Sequence, residues 1–310
     1  HARIEAGEII VGRELWQELN NLREDILTDA YIYDTEDALL RMNFMENCVR
    51  LTKSPFYNKP MVLMLWQKAF IEAVYSFKMS DTTLRRFKKV LFLIARKNTK
   101  SETCSALGLT EFYLGNAGAD IVCSSNDDSQ ASLNKVTNTK IFKLSDRTRN
   151  KEGRNIDVAF LDESHEMKEN IIAKSVEQSQ SLKDEPLFIN LTTEGFVVDG
   201  YLDEELRNAR KIIAGEDDGI MAQRTLAWLY TQDSEAEVWQ NRASWVKSNP
   251  SLGIVKKWTY LDEQIDIAKN SKADRIFVLC KDFNIKQNSA QSWLNIEDYD
   301  YKAVYDLEDF

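Results

Sequence analysis

The chain has 310 residues, of which 43% are apolar and 29% charged, as is typical of a soluble globular protein with a large core. No apolar run approaches the length needed to cross a bilayer, and the N-terminal HARIEAGEII lacks the apolar core of a signal peptide. The net charge of −10 argues against a surface that is basic throughout, although a local basic patch could still bind nucleic acid.

The N-terminal region predicts two amphipathic helices within residues 12–52. The residues expected to form their packed faces are Leu15, Leu19, Leu22 and Ile26 in the first helix and Leu40, Phe44, Cys48 and Leu51 in the second. Pro55 and Pro60 then interrupt the helical pattern.

Apolar runs and helical patterns alternate beyond residue 60, which predicts a mostly parallel sheet flanked by helices. The predicted strands are 90–95, 119–123, 158–161, 187–191 and 225–230. The predicted helices are 101–115, 166–179, 202–213 and 259–269. Residues 130–145 (QASLNKVTNTKIFKLS) break the alternation, because they show no helical face where a parallel crossover needs one.

The four cysteines form no CxxC pair, and the chain has only two histidines, which disfavours a zinc site. We expect buried free thiols in a reducing compartment at Cys48, Cys104, Cys123 and Cys280.

A candidate phosphate-binding loop, residues 96–101 (RKNTKS), follows the first of these strands. In such loops, backbone N–H groups cradle phosphate, a lysine reaches the β- and γ-phosphates, and a Ser hydroxyl binds Mg²⁺. Lys100 and Ser101 stand where these two residues belong, but Ile94 and Thr99 occupy the usual glycine positions. By itself the segment is also compatible with a polar strand-to-helix turn.

Two carboxylates, Asp162 and Glu163, end the apolar strand 158–161. The first can hold Mg²⁺, and the second can polarise an attacking water as a general base. They lie at the carboxyl end of a strand, where open α/β sheets bind ligands. A solvated acidic strand end would look the same, but the two motifs together favour a P-loop ATPase.

Two weaker signals accompany these motifs. Residues 187–195 (LFINLTTEG) form an apolar strand that ends in Thr192 and Thr193, where P-loop motors can sense the γ-phosphate. Upstream of the loop, Gln67 follows Trp66, and its amide can both donate to and accept from adenine. The alternative is a core tryptophan followed by a surface glutamine.

Taken in order, these residues resemble the motor motifs of phage terminase large subunits. The matching segments are Leu65-Trp66-Gln67-Lys68, Ala95-Arg96-Lys97-Asn98-Thr99-Lys100-Ser101, Leu161-Asp162-Glu163-Ser164-His165 and Leu191-Thr192-Thr193-Glu194-Gly195. That family often has an R-K-N-G-K-[ST] loop and a T-T-x-G third motif. Residues 236–252, with Trp239, Trp245 and Asn249-Pro250-Ser251-Leu252-Gly253, also resemble its W…NP-x-LG stretch, so the resemblance runs from about residue 55 to the C-terminus.

The resemblance implies an ASCE/RecA-like P-loop motor that uses ATP and Mg²⁺ to package double-stranded DNA into a procapsid. It implies a homo-oligomeric ring, pentameric in the family, that works with a portal protein and a small terminase subunit in the host cell cytoplasm, without a membrane. The implied division is an N-terminal helical lid segment at 1–54, an ATPase core at 55–233 and a helical lid or linker at 234–310. The family's nuclease domain would lie beyond this chain, and the acidic residues 306–310 would be linker.

The resemblance also implies residue roles. Ser101 and Asp162 would bind Mg²⁺, and Glu163 would activate water. Arg96 would contact the γ-phosphate, and Thr192 and Thr193 would couple hydrolysis to motion. The implied nucleotide-binding residues are Gln67, Arg96, Lys97, Asn98, Thr99, Lys100, Ser101, Glu102, Thr192 and Thr193.

Thr99 departs from the family, which usually has glycine there. A β-branched residue at positive φ costs about 1–2 kcal/mol, so we expect an altered loop or weaker nucleotide affinity.

A catalytic arginine from a neighbouring subunit often completes ring motors. The candidates here, Arg147, Arg149 and Arg154, lie in the polar segment before Asp162, and we single out Arg154. A solvated loop or a DNA-contacting patch is the alternative for this segment.

Two rival functions remain open. Asp162-Glu163-Ser164-His165 also matches the DExH box of superfamily 2 helicases, although little chain follows for their second domain. The chain could instead be a nucleotide-binding structural domain without turnover.

Overall fold

The computed structural model describes residues 1–52, 54, 56–124, 132–144 and 155–287. The helices within these ranges are α1 Ala2–Glu5, α2 Arg13–Leu27, α3 Glu36–Cys48, α4 Leu65–Tyr75, α5 Lys100–Leu114, α6 Ile171–Ser179, α7 Tyr201–Ile213, α8 Ile220–Gln223, α9 Glu235–Gln240, α10 Trp258–Asn270 and α11 Lys272–Phe283. The strands are β1 Ile32–Tyr33, β2 Phe77–Lys78, β3 Lys89–Leu93, β4 Asp120–Ser124, β5 Ser132–Asn134, β6 Thr139–Leu144, β7 Val158–Asp162, β8 Leu187–Thr192 and β9 Thr225–Leu229.

Within the described residues, seven strands form the central sheet in the order β5-β6-β4-β7-β8-β3-β9. All neighbouring strands pair in parallel except β5, which is antiparallel to β6. The predicted α/β fold with a mostly parallel sheet is therefore confirmed. The order places β8 between β3 and β7, as in ASCE/RecA-like P-loop proteins, so the ends of these three strands are neighbours.

Side chains of β3 alternate between two helical layers, because successive residues of a strand point to opposite faces. Val90 and Phe92 belong to the large core that also contains Phe70 of α4 and Leu107 of α5. Leu91 and its neighbours on the other face pack against α7. The sheet is thus covered on both sides, which explains why β3 is continuously apolar.

The N-terminal helices form close to where the pattern predicts them, but their predicted packed faces are only partly correct. Leu15 of α2 is buried and Phe44 of α3 packs against the same core, whereas Ile26 is 38% exposed. Leu40 is 52% exposed and Cys48 is also exposed, whereas Met42 and Met45 are buried. The buried Arg41 explains the shift, because it reaches inward to Glu111 of α5. An apolar pattern cannot reveal a helix face that is buried around an ion pair.

Residues 130–145 lack a helical face because the described part of this stretch consists of strands. β5 and β6 pair around a turn at 135–138, and β6 then lies parallel to β4. A second local correction concerns the helix predicted at 166–179, which begins only at Ile171 after a 3₁₀ turn at Ser164–Glu166.

The four cysteines are all free thiols, which agrees with the sequence-based expectation. Their predicted burial is correct for Cys280 but wrong for Cys48, which is exposed. Among the described residues, no helix combines the length and the apolar character that a membrane span requires.

A helical subdomain follows β9 and has its own apolar core. It comprises α9, a 3₁₀ helix at Arg242–Lys247, α10 and α11. Trp245, Leu261 and Phe283 are buried together in this core. One edge of the subdomain contacts the segment between β3 and α5, where the candidate phosphate-binding loop lies.

Candidate ATP-binding site

The candidate loop connects the carboxyl end of β3 to the N-terminus of α5, as predicted. Lys97 and Thr99 both adopt left-handed backbone conformations, with φ of 66° and 59°. The positive φ predicted for Thr99 is therefore confirmed. In the described part of the chain, the backbone N–H groups of residues 97–101 donate to no acceptor. A run of unpaired N–H groups at the start of a long helix attracts an anion.

The structure brings Lys100 together with both acidic residues of the second motif. The Lys100 side chain is 9% exposed, and its Nζ donates to Asp162 and to Oε1 of Glu163, the latter at 2.8 Å. Because β7 ends at Asp162, its carboxyl end faces the beginning of α5 in space. Phosphate-binding and acidic motifs separated by about sixty residues thus form one site.

The residues beside Lys100 have the chemistry that Mg²⁺ requires. Ser101 is exposed in the first turn of α5, and Asp162 supplies a carboxylate at the adjacent strand end. A hydroxyl and a carboxylate are hard oxygen ligands of the kind that Mg²⁺ uses together with phosphate and water. The cationic Nζ held between the two carboxylates shows that this position favours positive charge. Glu102, also predicted to contact nucleotide, is the acidic residue of the same helical turn.

Glu163 is connected to the third motif through His165. Oε2 of Glu163 lies 3.2 Å from Nδ1 of His165, and the same ring nitrogen lies 3.3 Å from Oγ1 of Thr192. Burial, together with the nearby Lys281 and Lys100 ammonium groups, lowers the pKa of His165 to about 3, so the ring is neutral. The Thr192 hydroxyl donates to a backbone carbonyl. We therefore assign the ring proton to Nδ1, where it can be shared with Glu163.

Gly195 is required at its position because His165 passes close to it. A Cβ atom at residue 195 would lie 2.7 Å from both Cβ and the carbonyl oxygen of His165, closer than real contacts allow. The glycine of the third motif thus lets the second motif pack directly against it.

Thr193 and Glu194 lie in the third motif beside α11. Both are buried, and the Glu194 carbonyl accepts from Nζ of Lys281 at 2.9 Å. The Glu194 N–H donates to Oδ1 of Asn284 at 3.1 Å. Burial raises the pKa of the Glu194 carboxyl. The third motif is therefore joined to the helical subdomain on one side and to the acidic motif on the other.

Gln67 lies in α4 beneath the loop and is buried, in contrast to a surface glutamine. Its Nε2 donates to Oγ1 of Thr103 at 2.9 Å, and its Oε1 accepts from the Met64 N–H at 2.8 Å. Nε2 also lies 3.5 Å from Oγ1 of Thr99. The amide oxygen thus caps the N-terminus of α4 and the amide nitrogen bonds to α5, and the adenine contact of Gln67 stays a prediction.

Arg96 and Asn98 bond to the helical subdomain. Arg96 donates through Nε and Nη2 to Asp282 and through Nη2 to Tyr260. Asn98 is fully buried, and its amide donates to Oδ1 of Asn249 at 2.9 Å. The resemblance implied that both residues contact phosphate. Those phosphate contacts stay predictions. Lys97, by contrast, is exposed beside the loop.

The sequence-based reasoning missed the residues that hold this site from the subdomain side. They are Asn249, Lys256, Lys281, Asp282 and Asn284. The Asn249-Pro250-Ser251-Leu252-Gly253 segment is the usable sequence signal for this group, because it resembles a family motif. Arg154, the candidate trans arginine, lies outside the described residues.

Comparison with known proteins agrees with this geometry. The family model described as terminase large subunit, ATPase domain, matches residues 65–150, and that described as terminase large subunit, endonuclease domain, matches residues 220–310. This chain belongs to the terminase large subunit family. No curated protein sequence matches it.

The fold is shared with a solved phage terminase. The chain is similar to the HK97 bacteriophage large terminase with a TM-score of 0.66 and 18% identity, over 80% of this chain and 55% of that protein. The chain thus corresponds to little more than half of that terminase. It also matches the ATPase domain of the Thermus phage P74-26 large terminase at a TM-score of 0.32 and 14% identity, over 51% of this chain and 79% of that one.

The endonuclease match corrects one prediction. The nuclease domain was expected to lie wholly beyond the chain, but the matched stretch begins at residue 220. Its described part contains β9, which pairs with β3 in the central sheet, and the helical subdomain. Among the residues that the structure describes, no group of three or more His, Cys, Asp or Glu side chains could hold a metal. The acidic residues 306–310 had been predicted to be linker because carboxylates alone do not distinguish a linker from a nuclease site.

Proposed function

We propose that this terminase chain binds and hydrolyses Mg·ATP at the carboxyl ends of β3, β7 and β8. One observation carries the proposal. Five successive unpaired N–H groups, residues 97–101, lead into a helix whose buried Lys100 contacts both acidic side chains of the neighbouring strand. The arrangement combines an anion cradle, a mobile positive charge and two carboxylates within one cleft, which is what phosphoryl transfer requires.

In the proposed reaction, the unpaired N–H groups bind the phosphate chain, and Lys100 moves from the carboxylates to the β- and γ-phosphate oxygens. Ser101 and Asp162 would hold Mg²⁺, which neutralises phosphate charge during transfer. Once Lys100 leaves, the carboxylate of Glu163 is free to accept a proton from the attacking water. Positioning and charge stabilisation supply most of the rate enhancement in such reactions.

His165 and Thr192 position the base. The neutral ring of His165 lies against one oxygen of Glu163, leaving the other oxygen for water after Lys100 departs. Thr192, at the end of β8, holds the ring from the other side. We propose that this contact makes the third motif sensitive to the charge at Glu163. The bonds of the third motif to Lys281 and Asn284 would then transmit a change in that charge to α11.

The finer proposals concern the whole motor. We propose that hydrolysis drives double-stranded DNA into a procapsid, by a ring of copies that works with a portal protein and a small terminase subunit in the host cytoplasm. The corresponding division is a helical lid segment at 1–54, an ATPase core at 55–233 and a helical region from 234. Gln67 and Arg96 keep their proposed nucleotide contacts only if the bonds described above rearrange when nucleotide binds.

The test is Lys100→Ala. Phosphate release from ATP should fall to background with and without double-stranded DNA, while the melting temperature stays near that of the parent chain. Lys174→Ala is the control, because Lys174 is an exposed lysine of α6 that has no part in the proposed site, and it should retain the turnover of the parent chain. Undiminished turnover in the Lys100 variant would show that Lys100 does not bind the phosphates during hydrolysis. Unwinding of a partial duplex by the parent chain would instead favour the helicase function.

A further inference from the structure

The loop holds an unfavourable backbone without glycine. Lys97 and Thr99 both lie at positive φ, and a residue with a Cβ atom costs about 1–2 kcal/mol there. Such conformations persist only where the surrounding structure over-determines them. The contacts that hold the loop are therefore as important as the loop residues themselves.

Those contacts come from the helical subdomain and reach the backbone first. The N–H groups of Ala95 and Arg96 donate to the carbonyls of Ser248 and Lys281, at 3.3 and 3.1 Å. The carbonyl of Arg96 accepts from Nζ of Lys256 at 3.1 Å. Ala95 and Arg96, which come just before the strained residue Lys97, are thereby held in place.

Asn98 fixes the strained part itself, because it stands between the two left-handed residues. Its amide donates to Oδ1 of Asn249 at 2.9 Å, and its Oδ1 accepts from the Ser251 N–H at 3.1 Å. Asn249 in turn accepts from Nζ of Lys256 at 2.7 Å and donates to the Asp282 carbonyl at 2.8 Å. Asn98 and Asn249 are both fully buried, so these bonds are shielded from water.

A buried carboxylate completes the cluster. Asp282 is fully buried and accepts from Arg96 at 2.8 Å and from Lys256 at 2.9 Å. Two cations thus share one anion, and neither the carboxylate nor the buried ammonium is left unpaired. Buried charges persist in folded proteins when they are paired and hydrogen-bonded in this way.

We propose that Asn249, Lys256 and Asp282, here called the loop clamp, are positioning residues that hold the glycine-free loop in its phosphate-binding shape. This inference rests on the proposed ATP binding. Glycine adopts positive φ without strain, so loops that contain it need no such support. In residues 97–99, which lack glycine, the loop clamp stabilises the same backbone conformation. Nucleotide affinity therefore depends on the docking of a subdomain that need not touch the phosphates.

The first experiment replaces Lys256 with methionine. Lys256→Met keeps the aliphatic stem, and it leaves Asp282 paired with Arg96 and Asn249 paired with Asn98. Binding of a fluorescent ATP analogue with Mg²⁺ should weaken about tenfold or more, because three bonds from one cation are lost. The exposed neighbour Lys257 offers a matched control, and Lys257→Met should bind the analogue as the parent chain does.

The second experiment separates positioning from general damage. In a Thr99→Gly background the loop has less strain to resist, so Lys256→Met should weaken binding by a smaller factor than in the parent chain. This non-additivity is measured by a double-mutant cycle. An equal loss in both backgrounds, or no loss in Lys256→Met, would overturn the proposal.

Tyr260→Phe serves if Lys256→Met fails to fold. It removes only the hydroxyl that accepts from Arg96, and it should weaken binding about two- to fivefold, again less in the Thr99→Gly background. Unchanged binding in this variant would then contradict the proposal. If the parent chain itself binds no ATP analogue, the proposed function fails. If the parent chain binds the analogue and the variants bind it equally well, only the loop clamp fails.

Discussion

Glu163→Gln gives the sharpest test of the proposed chemistry, because it removes the base and keeps the shape of the side chain. Glutamine has the shape of glutamate, so the acceptor that Lys100 contacts at 2.8 Å can be kept. The lost carboxylate can no longer take a proton from water, and general-base catalysis contributes about 10²–10⁴-fold, or about 3–5 kcal/mol of the barrier. Nucleotide affinity should stay equal or improve, because Lys100 is then held less tightly by protein carboxylates.

The assay compares single-turnover phosphate release with binding of the fluorescent ATP analogue in the parent chain and the variant. A drop of at least about 10² in rate at unchanged affinity would fit the assignment. Asp162→Asn is the contrasting variant, since it removes the proposed Mg²⁺ ligand and should weaken Mg²⁺-dependent binding. If Glu163→Gln lost affinity while its rate per bound ATP stayed the same, Glu163 would be a binding residue and the reasoning would fail.

The remaining predictions concern the loop, the core and assembly. Thr99→Gly should bind the fluorescent ATP analogue about five- to thirtyfold more tightly, as relief of about 1–2 kcal/mol of strain would allow; equal or weaker affinity would mean that the loop needs threonine. Burial raises the pKa of Glu18 to about 7, so the folded chain holds the proton more firmly than the unfolded chain. The free energy of unfolding should therefore fall as pH rises from about 4.5 to 7, by at most about 3 kcal/mol from this group. Glu18→Gln should lessen that fall, as measured by urea titrations at pH 5 and 8. An equal change in the free energy of unfolding between these pH values in both chains would argue against this role of Glu18. If Arg154 acts in trans, mixing inactive Lys100→Ala and Arg154→Ala chains should restore turnover, and turnover per chain should rise with concentration; constant turnover without rescue would exclude that role.

Periodicity and position were sufficient for the central sheet. The apolar runs at β3, β7 and β8 predicted buried strands because strands covered on both faces need apolar residues at every position. Parallel strands have their carboxyl ends at the same edge of the sheet, so the sequence predicts Lys100 near Asp162 and Glu163. The positive φ of Thr99 followed from a motif position whose backbone conformation is recognisable from sequence.

Only the tertiary structure showed which loop side chains bond to the helical subdomain. Arg96 and Asn98 look like phosphate ligands in the sequence, but they bond to residues about 150 to 190 positions away. Hydrogen bonds between distant polar side chains leave no periodic pattern, because any exposed Asn, Lys or Asp could equally be solvated. For the same reason, the sequence pattern did not predict that Arg41 lies on the buried face of α3. Local chemistry in the sequence therefore predicted the candidate reacting groups, whereas the partners that hold them depend on long-range packing.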